Sequence, residues 1–141
     1  MLKANLRSEQ TDRLLVGLAA MGLSPNAWTL LSLVPAIMGM ILLAMHHLGI
    51  GLMLFALSGF IDMVDGSVAR ATGQVSLKGA YVDGVVDRYV ELFTCLGLVL
   101  YVGRTELFHL PSEVWFILLI FGSIMTSFAR AYADHRGLVK D

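Results

Sequence analysis

The stretch that decides the fold is Asp62-Met-Val-Asp65-Gly66-Ser-Val-Ala69-Arg70, followed by Ala-Thr-Gly-Gln-Val-Ser-Leu-Lys and then Gly79-Ala-Tyr-Val-Asp83-Gly-Val-Val-Asp87. Four aspartates and an arginine stand here inside or beside segments that otherwise read as membrane-spanning. A carboxylate at the centre of an inserted helix costs about 2.5–3.5 kcal/mol, so four unpaired ones would cost about 10–14 kcal/mol. That is comparable with the whole stability of a domain. One arginine cannot neutralise four acids, and divalent cations are the cheapest remaining partner.

Working outward, the chain has 141 residues, of which 57% are hydrophobic and 15% charged. Soluble domains average about 45–50% apolar and about 25% charged residues, so the composition is that of a membrane protein. A net charge of −1 and the lack of a basic run give no support to nucleic-acid binding. A single cysteine, Cys95, excludes an intrachain disulfide. The start of the chain lacks the continuous apolar run of a signal peptide. The expected architecture is an all-α polytopic membrane bundle forming one domain over residues 1–141. Residues 1–22 read as an amphipathic helix on the cytosolic surface, with Leu2, Leu6, Leu14, Leu18 and Met21 at near-helical spacing. Four spans follow at 27–45, 48–71, 79–101 and 114–132, each close to the length that crosses about 30 Å of hydrocarbon. Pro35 is expected to kink the first span. Ser24-Pro25-Asn26 makes the turn into it, with either Ser24 or Asn26 as the cap.

With the N-terminus in the cytosol, nine of the ten Lys and Arg fall on that side or at its helix ends, leaving Arg104 opposite. The positive-inside rule therefore turns the acidic segment toward the cytosol. Trp28 and Trp115 would occupy opposite interfacial belts.

On a helix Asp62 and Asp65 lie about 60° apart, and Gly66 and Ala69 extend their face without bulky cover, open to a phosphate or nucleotide. Gly79, Asp83 and Asp87 recur every fourth residue along a second stripe. If the two helices pack side by side, the carboxylates face each other across a glycine-lined cleft. Such a hard, oxygen-rich site suits Mg²⁺ or Mn²⁺. Two ions there would leave coordination positions for phosphate oxygens, and Arg70 can hold a phosphate bidentately. Arg88 and Glu91 read equally well as an intrahelical ion pair, a dimer contact or catalytic groups. His46, His47, His109 and His135 have no evident role at the acids.

These residues resemble the signature of the CDP-alcohol phosphotransferase family, Asp-x2-Asp-Gly-x2-Ala-Arg-x8-Gly-x3-Asp-x3-Asp. All eight fixed positions are matched, by Asp62, Asp65, Gly66, Ala69, Arg70, Gly79, Asp83 and Asp87. The likeness extends to Ser24-Pro25-Asn26-Ala-Trp-Thr29 and to Phe128-Ala-Arg130-Ala-Tyr-Ala-Asp134. The resemblance implies an enzyme of phospholipid synthesis. Its members transfer a phosphatidyl-type group from a CDP-linked lipid, CDP-diacylglycerol or CDP-archaeol, to an acceptor hydroxyl and release CMP. Carried over, Asp62, Asp65, Asp83 and Asp87 would hold two Mg²⁺ or Mn²⁺ ions, with Asp87 also the base on the acceptor. Gly66, Ala69, Arg70 and Gly79 would line the nucleotide site, with Asn26 and Thr29 at the diphosphate. Arg130 and Arg136 are the nearest further cations for an acceptor phosphate, and inositol phosphate, glycerol phosphate and serine all serve as acceptors within the family. Homodimers are expected. Six membrane helices are usual there, and this chain has room for four, with the last two absent after Asp141. The rival readings are an intramembrane Mg-dependent prenyltransferase and a cation-binding transporter subunit. The first places its acidic motifs far apart, and the second has no use for a glycine cradle with an arginine.

Overall fold

The computed structural model describes residues 23–136, so the expected surface helix over 1–22 lies outside the described residues. Among the described residues four helices carry the fold: α1 (Pro25–Ala44), α2 (Leu48–Ala71), α3 (Leu77–Val102) and α4 (Ser112–His135). Three of them, α1, α2 and α4, are long and apolar enough to cross a membrane, which makes the chain an integral membrane protein. Helix α3 has the length, at 26 residues or about 39 Å, but carries Asp83, Asp87, Arg88 and Glu91 along it.

Local chemistry sets the helix starts. Ser24 caps α1, accepting from the Ala27 N–H at 3.3 Å, with Pro25 in the first helical position where no N–H is needed. Of the two caps open from sequence, Ser24 is the one used. Ser76 does the same for α3, accepting from the Gly79 N–H at 3.0 Å, so this helix begins before Gly79. Replacing Ser76 by Ala is expected to cost about 1 kcal/mol, read as a lower melting temperature in detergent. Between α3 and α4 the chain forms a two-residue antiparallel ribbon, β1 (Glu106–Leu107) on β2 (Leu110–Pro111). Phe108 and His109 take positive φ angles in its turn. Without an Asn-Gly or Asp-Gly pair, the segment carries no turn signal that would have foretold it.

Helix α1 is the hub. It packs along both α2 and α3, whereas α2 and α3 touch each other little and α4 rests lightly on α3. The side-by-side packing of the two acidic helices is thus replaced by a shared fit against α1. Small residues allow it. A Cβ on Gly51 would come within 2.9 Å of the Leu43 side chain, and one on Gly97 within 3.0 Å of Leu43 and 3.1 Å of the Met40 backbone. Leu43 is fully buried at this three-helix junction. Close backbone approach of this kind holds helices together in lipid, where the hydrophobic effect gives no drive between them. Gly97→Val is therefore expected to destabilise the bundle by about 1–3 kcal/mol, visible in thermal unfolding in detergent. Ser58 Oγ donates to the Ser32 carbonyl at 2.8 Å and Ser32 Oγ to the Thr29 carbonyl at 2.7 Å, tying α2 to α1. Trp28, expected in an interfacial belt, is instead buried against Val64 and Val68. Trp115 is partly exposed and stands edge-on to Phe108.

Candidate functional site

The last turns of α2 and the first turns of α3 bring the acidic residues to one end of the bundle. Carboxylate oxygens of Asp62, Asp83 and Asp87 lie within 4.8 Å of one another, all three side chains half-buried. Among the described residues, Asp62 Oδ1 is buried with no hydrogen-bond partner. A buried acceptor without a donor is costly, and three acids this close repel, so a cation bound here would relieve both costs. The donor set is entirely carboxylate oxygen, which fits Mg²⁺ or Mn²⁺. An ion–oxygen distance of about 2.1 Å allows oxygens up to about 4.2 Å apart, so small side-chain rotations would close the triad on an ion.

Asp65 stands apart from this triad. It is buried and accepts a hydrogen bond from Thr29 Oγ1, whose hydroxyl also lies 3.1 Å from the Pro25 carbonyl. Thr29 therefore holds Asp65 in place, a pairing the sequence did not indicate.

Beside the aspartates opens a cleft of about 260 Å³. Asn26, Thr29, Gly66, Ala69, Arg70 and Gly79 all line it, together with Asp65 and Asp83. Both glycines leave room that another residue would fill. A Cβ on Gly66 would meet Arg70 Nη1 at 3.4 Å, and one on Gly79 would meet Ser76 Oγ at 3.1 Å and Asn26 Oδ1 at 3.4 Å. Arg70 is braced by Ser67 Oγ at 3.3 Å. Gln74, Val75 and Ser76, in the connection between α2 and α3, also line the cleft. The spacing of the aspartates does not reveal them, because they belong to the unmatched residues between the two halves of the motif.

The structure does not bring Arg130 and Arg136 to this cleft. Arg136 turns onto its own helix, its guanidinium 5.2 Å from the Tyr132 ring centroid and donating to the Tyr132 hydroxyl at 2.9 and 3.1 Å. Arg130 is exposed on α4. Arg88 and Glu91 form an ion pair of 3.5 Å on α3, outside the cleft.

The CDP-alcohol phosphatidyltransferase family model matches residues 22–140, nearly all of the chain. The chain belongs to that family. Among its relatives, the chain is 30% identical over 120 residues to an archaetidylinositol phosphate synthase of Pyrococcus horikoshii, covering 85% of this chain and 60% of the relative. It is 34% identical over 109 residues to a bifunctional IPC transferase and DIPP synthase of Rubrobacter xylanophilus, 77% of this chain and 24% of that protein. The crystal structure of phosphatidylinositol phosphate synthase from Mycobacterium tuberculosis, in apo form, superposes with a TM-score of 0.77 at 26% identity, covering 92% of this chain and 68% of the other. The chain thus spans well under the full length of the curated relatives it matches.

Proposed function

We propose that this protein transfers a phosphatidyl-type group from a CDP-linked lipid to the hydroxyl of a small polar alcohol, releasing CMP. The observation that carries this reading is the convergence of Asp62, Asp83 and Asp87 beside a glycine-lined cleft that also holds Arg70. Asp62, Asp83 and Asp87 would hold Mg²⁺ or Mn²⁺, with Asp65 completing the set for a second ion. When bound, such ions neutralise charge on the diphosphate and on the leaving CMP. The protein's own groups do the rest. Gly66, Ala69 and Gly79 would let the nucleotide approach the backbone, and Arg70 and Asn26, which line the cleft, would bind its phosphates. Asp87 takes the proton from the acceptor hydroxyl as its oxygen bonds to the lipid-side phosphorus, and the bond from that phosphorus to CMP breaks.

The positive-inside distribution of Lys and Arg supports a site facing the cytosol, where a water-soluble acceptor arrives. The names of the Pyrococcus and Mycobacterium relatives support an inositol phosphate as that acceptor. The lipid tails would remain in hydrocarbon while the diphosphate meets the cleft at the membrane surface. The reading also includes a homodimer, which chemical cross-linking in membranes would test.

CMP is the discriminating ligand, because neither a prenyltransferase nor a cation pathway has reason to recognise cytidine. With Mg²⁺ present, CMP at about one hundred times its Kd is expected to stabilise the purified protein by about 2.7 kcal/mol. Arg70→Ala should remove most of that gain. No CMP-dependent shift in melting temperature for the unsubstituted protein would refute the assignment.

A further inference from the structure

Helix α4 rests lightly on α3 and is tied to it at its start, where Ser112 Oγ donates to the Gly103 carbonyl at 3.1 Å. None of its apolar membrane-crossing segment is buried. Its glycine, Gly122, faces open space, as does Gly84 on α3, in contrast to the tight contacts at Gly51 and Gly97. Apolar packing and close backbone approach therefore leave its rotation on α3 loosely defined.

Farther along the helix, Arg88 reaches across from α3. Its Nη1 donates to Ser127 Oγ at 2.7 Å and to Ser123 Oγ at 3.0 Å, two hydroxyls one helical turn apart on α4. Glu91, one turn along α3, balances the charge at 3.5 Å. An arginine facing hydrocarbon is costly, so in lipid the guanidinium keeps these partners rather than trading them for water. Two hydroxyls at i and i+4 gripped by one planar group fix both height and rotation, which a single tie would not.

The stripe continues. Ser123, Ser127, Arg130 and Asp134 recur at intervals of four, three and four, so they share one face of α4. Whatever turns Ser123 and Ser127 toward α3 also turns Arg130 and Asp134 toward it, near the end that carries Asp83. We propose that Arg88 is a positioning residue: its two hydrogen bonds, to Ser123 and Ser127, set the rotation of α4 on α3, and so the place of Arg130 relative to the aspartate cluster. This inference does not depend on the phosphotransferase reading.

The test is a distance measurement by electron paramagnetic resonance on the full chain in nanodiscs. Cys95 is replaced by Ala, and nitroxides are attached at Leu92→Cys on α3 and Ile124→Cys on α4, which line one small cavity between the helices. The expected result is a single narrow distance peak, lost in Arg88→Met and lost equally in the Ser123→Ala/Ser127→Ala pair. Combining the two should add nothing, and Arg88→Lys should keep part of the peak. CMP-dependent stabilisation, which reads the cleft between α1, α2 and α3, should persist in all of them. A narrow peak unchanged in both Arg88→Met and the double serine variant would overturn the proposal. So would additive broadening when they are combined. If the unsubstituted protein fails to respond to CMP, the functional assignment falls while the distance comparison stands.

Discussion

Asp87→Asn is expected to lower phosphatidyl transfer by about 10²–10⁴-fold, the usual contribution of a positioned general base. The amide keeps the size of the carboxylate and an oxygen that can still ligate, so the cluster with Asp62 and Asp83 retains its shape. It loses the capacity to take a proton. Asp87 lies in the triad but does not line the nucleotide cleft, so with Mg²⁺ raised to offset the weaker ion affinity of a site one charge short, the variant should still be stabilised by CMP. Transfer measured in membranes with a CDP-linked lipid and an inositol phosphate, alongside melting with and without CMP, separates the two properties. Loss of both would make Asp87 chiefly a structural ligand, and near-normal transfer would remove it from the proton step.

Much of the cleft could be named from residue spacing, because the relevant contacts are local. Intervals of three and four residues force Asp62 with Asp65, and Gly79 with Asp83 and Asp87, onto single helix faces wherever those helices go. The composition likewise settled the membrane class, and the eight fixed motif positions the family. What stayed hidden depends on contacts between distant segments. That α1 would be the hub rests on Gly39, Gly51 and Gly97 meeting Leu43 and Phe55 from three different helices, and no pattern within one helix announces such a meeting. The separation of Asp65 from the other acids rests on Thr29, far away in sequence. Trp28 reads as an interfacial anchor until Val64 and Val68 are seen to cover it. Arg136 is a different case, because its partner Tyr132 stands one turn back on α4, a local contact that spacing alone allows. For α1, Asp65 and Trp28 the local rule was sound and a tertiary partner outweighed it.

Asp62→Asn is expected to reverse the usual relation between function and stability, and the reversal should depend on metal. Without divalent ions, Asp62 is a liability: Oδ1 is buried with no donor, and oxygens of Asp83 and Asp87 stand within 4.8 Å. At an effective dielectric near 20, two charges at that distance repel by about 3.5 kcal/mol. An asparagine removes the charge and offers an NH₂ group to the neighbouring carboxylates. The metal-free protein should gain about 1–3 kcal/mol, the cost otherwise carried by an unsatisfied buried group. With Mg²⁺ the order inverts. The unsubstituted cluster gains binding free energy, about 2.7 kcal/mol at one hundred times the Kd, while the variant, one charge short, gains little. Melting of both proteins in detergent, first in EDTA and then across a Mg²⁺ titration, should give curves that cross. Parallel curves would mean that the three aspartates do not share an ion, and a variant less stable in EDTA would mean that Asp62 is already satisfied by the fold. Crossing curves would tie the instability of the empty cluster to the ligand it is shaped to accept, since the same oxygen that costs stability in EDTA would be the one that Mg²⁺ engages.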